Sequence, residues 1–367
     1  MSALAVRTGS VNLGQGFPDE DGPAEVIEAA VDALRGGRNQ YPPGHGTPEL
    51  LDAVIDHQQR HYGLELTRAQ VVATTGATEA IAAALLGLVD PGDEVVVLEP
   101  YYDSYVAMIQ MAGAVRRPVT LRAPDFRLDL EELAAAIGPR TRLILLNTPH
   151  NPTGTVLTRA ELEGVAALAI EHDLVVVTDE VYEHLTYATP HVPLASLPGM
   201  FERTLTISSA GKTFSVTGWK IGWASGPEHL VAAVEGAKNW LSYSSGAPLQ
   251  PAVALALEKH DGFHVALAAD LRTKRDRLCA GLREIGMTVY EPAGTYFVTT
   301  DVAAYGHADG RAFCTALPEM AGVVAIPSQV FYDDQAEGRH LVRWAFCKRI
   351  EVIEEGLRRL GAASLDA

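Results

Sequence analysis

Apolar residues recur along this chain in two ways. Short, nearly continuous runs stand at Val71–Thr74, Glu94–Leu98, Leu143–Asn147, Leu174–Thr178, Thr204–Ser208 and Ile221–Ala224. Runs of Val, Ile and Leu without polar alternation predict strands covered on both faces. Between them the spacing changes to that of helices. Pro23–Leu34 places Val26, Ile27, Ala30, Val31 and Leu34 on one face, with a proline in its first turn. A second helix is expected after Thr47-Pro48-Glu49, where threonine caps and proline takes the first helical position. Thr158-Arg159-Ala160-Glu161 has capping-box spacing ahead of a periodic run to about Ala169. Asp90-Pro91-Gly92-Asp93 reads as a turn. Strands alternating with helices predict an α/β fold with a mostly parallel sheet.

After about Gly262 the texture changes. A long helical stretch, charged at Asp270–Arg277, precedes short strands at Thr295–Thr299, Val323–Ile326 and Leu341–Phe346. The expected division is residues 1–30 as a segment outside the central sheet that packs with the C-terminal part, 31–260 as a large domain, and 261–367 as a smaller one.

Composition narrows the setting. A chain of 367 residues, 47% hydrophobic, can bury a large core. Its three cysteines, Cys279, Cys314 and Cys347, are too few and scattered for a disulfide framework, and neither a leader nor a membrane-spanning run is read at Met1–Arg7 or beyond. A cytoplasmic location is the expectation. The net charge of −17 disfavours nucleic acid and anionic membrane as partners.

Candidate chemistry starts at Ser208-Ser209-Ala210-Gly211-Lys212, directly after a predicted strand. A lysine among small residues suits imine formation with an aldehyde cofactor, because desolvation favours its neutral amine. Alone this is weak, since most such lysines are solvated. Asp179 ends another apolar run, where α/β sheets build ligand sites, and it could hold a pyridine nitrogen protonated. An isolated aspartate there more often caps a helix. Tyr182 follows three residues later. Asn147 and Asn151 lie in Asn147-Thr148-Pro149-His150-Asn151-Pro152-Thr153-Gly154, a strand exit that reads equally as a plain loop. Thr75-Gly76-Ala77-Thr78 joins a strand to a helix and offers backbone N–H groups to a phosphate, with Lys220 as an added positive charge. No metal ligands are assigned.

Together these segments resemble the fold-type-I aminotransferases of class I and II over nearly the whole chain. The likeness is closest to the branch holding kynurenine/glutamine transaminases and actinobacterial N-succinyldiaminopimelate aminotransferases. Val11–Asp19, Asn39–Gly44, Glu99–Tyr105, Asn147–Gly154, Thr178–Tyr182, Ser209–Trp223 and His340–Lys348 carry it. The resemblance implies a seven-stranded sheet in the large domain and pyridoxal 5'-phosphate as cofactor. It makes Lys212 the lysine that carries the cofactor and Asp179 the partner of the pyridine nitrogen. Asn151 and Tyr182 would bind the ring oxygen, and Tyr102 would stack on the ring. Gly76, Ala77, Thr78, Ser209 and Lys220 would hold the phosphate, with Tyr41 reaching it from a second subunit of a homodimer. Arg343 would clamp the substrate α-carboxylate, helped by Asn147 and the Gly16 backbone.

The implied reaction is ping-pong transfer of an amino group between an amino acid and a 2-oxo acid, with Lys212 moving the proton. N-succinyl-LL-2,6-diaminopimelate with 2-oxoglutarate is the expected pair. Kynurenine or glutamine transamination, or β-lyase cleavage of cysteine S-conjugates, is the alternative. Tyr243 is either a pocket wall or an interface aromatic. The chain begins short of the N-terminal arm that relatives in this branch carry, which implies either a late start or a different closure over substrate.

Overall fold

In a computed structural model, which describes residues 2–367, seven strands form the central sheet. They are β1 (Val71–Thr75), β2 (Glu94–Glu99), β3 (Val115–Thr120), β4 (Thr141–Asn147), β5 (Val175–Asp179), β6 (Thr204–Ser209) and β7 (Ile221–Ser225). Their spatial order is β1-β7-β6-β5-β4-β2-β3. Only β7 opposes its neighbours, pairing antiparallel with both β1 and β6. The apolar runs are strands for the reason their composition suggests. Val95, Val97, Leu143 and Leu145 pack on one face with the helices Gly76–Leu88 and Asp103–Met111. Val96, Leu98, Ile144 and Leu146 pack on the other, with the helix Arg159–Glu171. Side chains alternate in direction, but both directions end in core.

The expected helices form, with one shift. Thr47 Oγ1 accepts from the Leu50 N–H at 3.4 Å, and the Thr158–Glu161 capping box closes from both sides. Pro23, however, precedes its helix, which spans Ala24–Arg35. The main correction concerns β3, absent from the sequence reading. Arg116, Arg117 and Pro118 interrupt its apolarity, and all three are tolerated because β3 is the sheet edge. Arg117 pairs there with Glu94 at 2.6 Å.

Beyond the helix Asp261–Glu284 lies a four-stranded antiparallel sheet containing Phe297–Asp301 and Leu341–Ala345. The expected strand Val323–Ile326 is two pieces. Val323–Val324 pairs with Val11–Asn12, whereas Ile326–Pro327 joins the antiparallel sheet. Among the described residues, no helix is long and apolar enough to cross a membrane.

Candidate active site

Register brings the sequence candidates to one edge of the central sheet. Asn147 pairs with Asp179, Asp179 with Ile207, Ser209 with Gly222, and Thr75 with Ile221. Carboxyl ends of parallel strands share one side, so these residues surround the same opening. It is a cavity of about 270 Å3, lined by Gly16, Gly76, Ala77, Thr78, Tyr102, Asn147, Asn151, Asp179, Tyr182, Ser209, Lys212, Lys220 and Arg343.

Lys212 stands in the short helix after β6, its nitrogen 5.6 Å from the Tyr296 ring centre and 5.8 Å from that of Tyr182. Burial lowers its pKa to about 8, against a partial restoring pull from Asp179. Asp179 is itself buried, which raises its carboxyl to about 6. The Tyr105 hydroxyl donates to its Oδ2 at 2.6 Å and the Val181 N–H to its Oδ1 at 3.3 Å, so the carboxylate remains supported. A turn follows Asp179, and it caps no helix.

Asn147 is committed to holding this edge together. Its Nδ2 donates to the Asp179 carbonyl at 2.8 Å, and its Oδ1 accepts from the Asn151 N–H at 2.8 Å. Asn151 Oδ1 in turn accepts from Arg343 Nη1 at 2.9 Å. Arg343 arrives from the antiparallel sheet, opposite Thr299, and its Nη2 reaches the Gly14 carbonyl at 3.3 Å. The guanidinium lies 4.2 Å from the centre of the Phe297 ring and 5.0 Å from that of Phe331. Burial lowers its pKa to about 10, and Nε has no hydrogen-bond partner. A buried guanidinium so under-satisfied calls for an anion.

At the other end of the cavity the helix Gly76–Leu88 starts without a side-chain cap. Gly76 adopts φ +70°, and a methyl there would meet Lys220 Nζ at 3.1 Å. A Cβ on Gly222 would sit 2.6 Å from the Gly76 carbonyl carbon. Strand and helix start therefore touch backbone to backbone, leaving N–H groups and the Lys220 ammonium facing the opening.

Two candidates are not brought to the cavity of their own chain. Tyr41, 82% exposed, and Tyr243 meet edge to face at 5.7 Å on the surface. Sequence reasoning also missed Tyr105, Phe297 and Phe331. Tyr105 had one usable signal, its place three residues after Tyr102 and so on the same side of a helix.

The sequence profile of "Aminotransferase class I and II" matches residues 8–360. The chain belongs to this family. It is therefore a transaminase that uses pyridoxal 5'-phosphate. A solved N-succinyldiaminopimelate aminotransferase from Mycobacterium tuberculosis is 54% identical with a TM-score of 0.97, covering 99% of this chain and 95% of that one. The methionine aminotransferase of Escherichia coli is 37% identical over 98% of this aminotransferase and 94% of its own length, and its solved structure has a TM-score of 0.95. A kynurenine–oxoglutarate transaminase of Dictyostelium discoideum is 36% identical, covering 95% of this chain and 89% of its own.

The residues present fit the cofactor. The uncapped helix start with Lys220 suits a phosphate, the carboxylate of Asp179 suits a protonated pyridine nitrogen, and the desolvated Lys212 suits an aldehyde carbon.

Proposed function

We propose that this aminotransferase moves an amino group from N-succinyl-LL-2,6-diaminopimelate to 2-oxoglutarate, or the reverse, in the cytoplasm as a step of lysine biosynthesis. The observation that carries the chemistry is Arg343, buried with an unpartnered Nε beside Asn151, on the cavity it shares with Lys212. The substrate rests on the relative named for that substrate at 54% identity, against 36–37% for the methionine and kynurenine enzymes.

When bound, pyridoxal phosphate supplies an electron sink for the Cα carbanion. Lys212 would hold it, and its Nζ would take the Cα proton of the substrate. A pKa of about 8 leaves an appreciable share of the amine neutral near pH 7.5. Asp179, held by Tyr105, keeps a proton on the pyridine nitrogen. Arg343 clamps the α-carboxylate with Asn147 and the Gly16 backbone beside it, and so orients the Cα–H bond towards Lys212. Asn151 and Tyr182 hold the ring oxygen and Tyr102 covers the ring face. Gly76, Ala77, Thr78, Ser209 and Lys220 bind the phosphate. Residues 31–260 and 261–367 act as the two bodies that close on substrate. Tyr41, exposed and in contact with Tyr243, serves a homodimer in which it reaches the partner's phosphate.

The test is the absorbance of the holoenzyme before and after N-succinyl-LL-diaminopimelate, with no acceptor present. Conversion of the pyridoxal band to the pyridoxamine band supports the assignment. A band that persists there but falls with kynurenine, glutamine or methionine refutes the substrate. Pyruvate from cystathionine without an acceptor would identify a β-lyase.

A further inference from the structure

Four imidazoles gather from three separate parts of the chain, one of them the turn after Asp179. His57 and His61 lie one turn apart on the helix Pro48–Tyr62, and so share a face. His184 belongs to the turn after Asp179, and His264 to the first turns of the helix Asp261–Glu284. His57 Nε2 and His184 Nε2 are 2.7 Å apart, and the His184 and His264 rings stack at 3.9 Å. One ligand atom from each of His57, His61 and His184 lies within 4.8 Å of the others, and the same holds for His61, Asp261 and His264. None of these residues lines the cofactor cavity.

Hydrogen bonding leaves this cluster incomplete. Two Nε2 atoms at 2.7 Å cannot both carry a proton, so at least one presents its lone pair to the other. His57, only 2% exposed, has no partner for Nδ1, and His61 Nε2 and His264 Nε2 face only the Asp261 carboxylate, at 3.5 Å and 3.7 Å, without forming a hydrogen bond to it. Asp261 is already held by Arg60, at 3.0 Å and 3.1 Å. Its charge therefore offsets that guanidinium, and donor nitrogens are what the cluster has to offer.

We propose that His57, His61 and His184, flanked by His264 and Asp261, form a transition-metal site that takes one divalent ion of the zinc or nickel class. Borderline-soft cations of this kind favour imidazole, whereas magnesium and calcium require oxygen. Zinc bonded at about 2.1 Å in a tetrahedron sets its nitrogens about 3.4 Å apart. The His57–His184 pair opens slightly to reach that spacing, and His61, whose side chain is 23% exposed, turns inward and leaves an entry path. The ion ties the helix Pro48–Tyr62 to the turn that follows Asp179 and Tyr182. Through the flanking His264 and Asp261 it also braces the start of the helix Asp261–Glu284. Its role is structural, since the site is separate from the cavity.

The test uses tag-free holoenzyme, stripped with a chelator, exposed to zinc chloride or magnesium chloride, desalted and assayed for metal. One zinc per chain and no retained magnesium are expected, with a raised unfolding temperature in zinc. His61→Asn and His184→Asn should each weaken zinc binding by at least about tenfold while the cofactor absorbance stays unchanged. A native chain that retains no zinc overturns the proposal, as do variants that retain as much as the native chain. If either variant fails to fold, retention by the native chain decides the matter.

Discussion

The pKa of Lys212 is where structure and chemistry meet most directly. Its ordinary value is 10.5, and burial brings it to about 8. That difference corresponds to about 3 kcal/mol of preference for the neutral amine. At pH 7.5 an unperturbed lysine is neutral in about one molecule in a thousand, and Lys212 in about a quarter. Its reactive fraction is thus raised about two hundredfold. Trace acetylation of the cofactor-free chain with acetic anhydride, read by mass spectrometry, measures this. The exposed Lys259 serves as internal standard for reagent consumption. Labelling of Lys212 should climb with pH through a midpoint near 8 and level off above about pH 9. Continued climbing beyond pH 9.5 would refute the desolvation argument.

The neighbours give a check on sign. The Asp179 charge raises the Lys212 pKa and the Lys220 charge lowers it. Asp179→Asn should therefore move the midpoint down, and Lys220→Met should move it up. Linkage adds a stability consequence. Because the folded value lies below the unfolded one, the unfolded cofactor-free chain binds the extra proton between about pH 8 and 10.5, and the Lys212 contribution to stability rises with pH across that window.

Arg343→Ala should raise KM for the amino donor by about thirtyfold or more, matching about 2 kcal/mol for a lost buried charge pair, while the cofactor band is retained. Steady-state kinetics with an absorbance spectrum check this, and a colourless protein would show that Arg343 serves the cofactor instead. Tyr105→Phe removes the hydroxyl that lowers the Asp179 pKa, so the acidic limb of the kcat/KM profile should move to higher pH by about one to two units. An unmoved limb would mean that Asp179 does not set it. Gly222→Ala puts a methyl 2.6 Å from the Gly76 carbonyl carbon and 2.8 Å from the Ala77 nitrogen. A distortion of about 1–3 kcal/mol should weaken cofactor binding about fivefold to about 150-fold, read by titrating the cofactor-free chain.

Legibility of the fold followed burial. Strands covered on both faces, such as β2 with Val95, Val96, Val97 and Leu98, declare themselves because every position must be apolar. β3 has one free edge, so Arg116, Arg117 and Pro118 cost it little and hide it. The segment 323–326 failed in a different way. Its residues are apolar throughout, yet Val323–Val324 follows a parallel partner from the N-terminus and Ile326–Pro327 an antiparallel one. Local composition records that a segment is buried, not which strand it meets.

The same distinction separates the site residues that the sequence exposes from those it conceals. That Lys212, Asp179, Asn147 and the Gly76 turn share one cavity is legible because each ends or follows a buried strand, and parallel packing then delivers them to one edge whatever the rest of the chain does. Arg343 is legible for an independent reason: a guanidinium within the apolar strand Leu341–Ala345 must find a negative partner. Tyr105 neither ends a buried strand nor carries a charge into one, and beyond its spacing from Tyr102 its role is defined by an aspartate 74 residues away. The histidines are the extreme case, with His57 and His184 separated by 127 residues before they meet at 2.7 Å. Each is an ordinary helix or turn residue until the long helix Asp261–Glu284 sets His264 against them. Chemistry that depends on strand ends can thus be read from one sequence, and chemistry assembled between distant helices needs the three-dimensional structure.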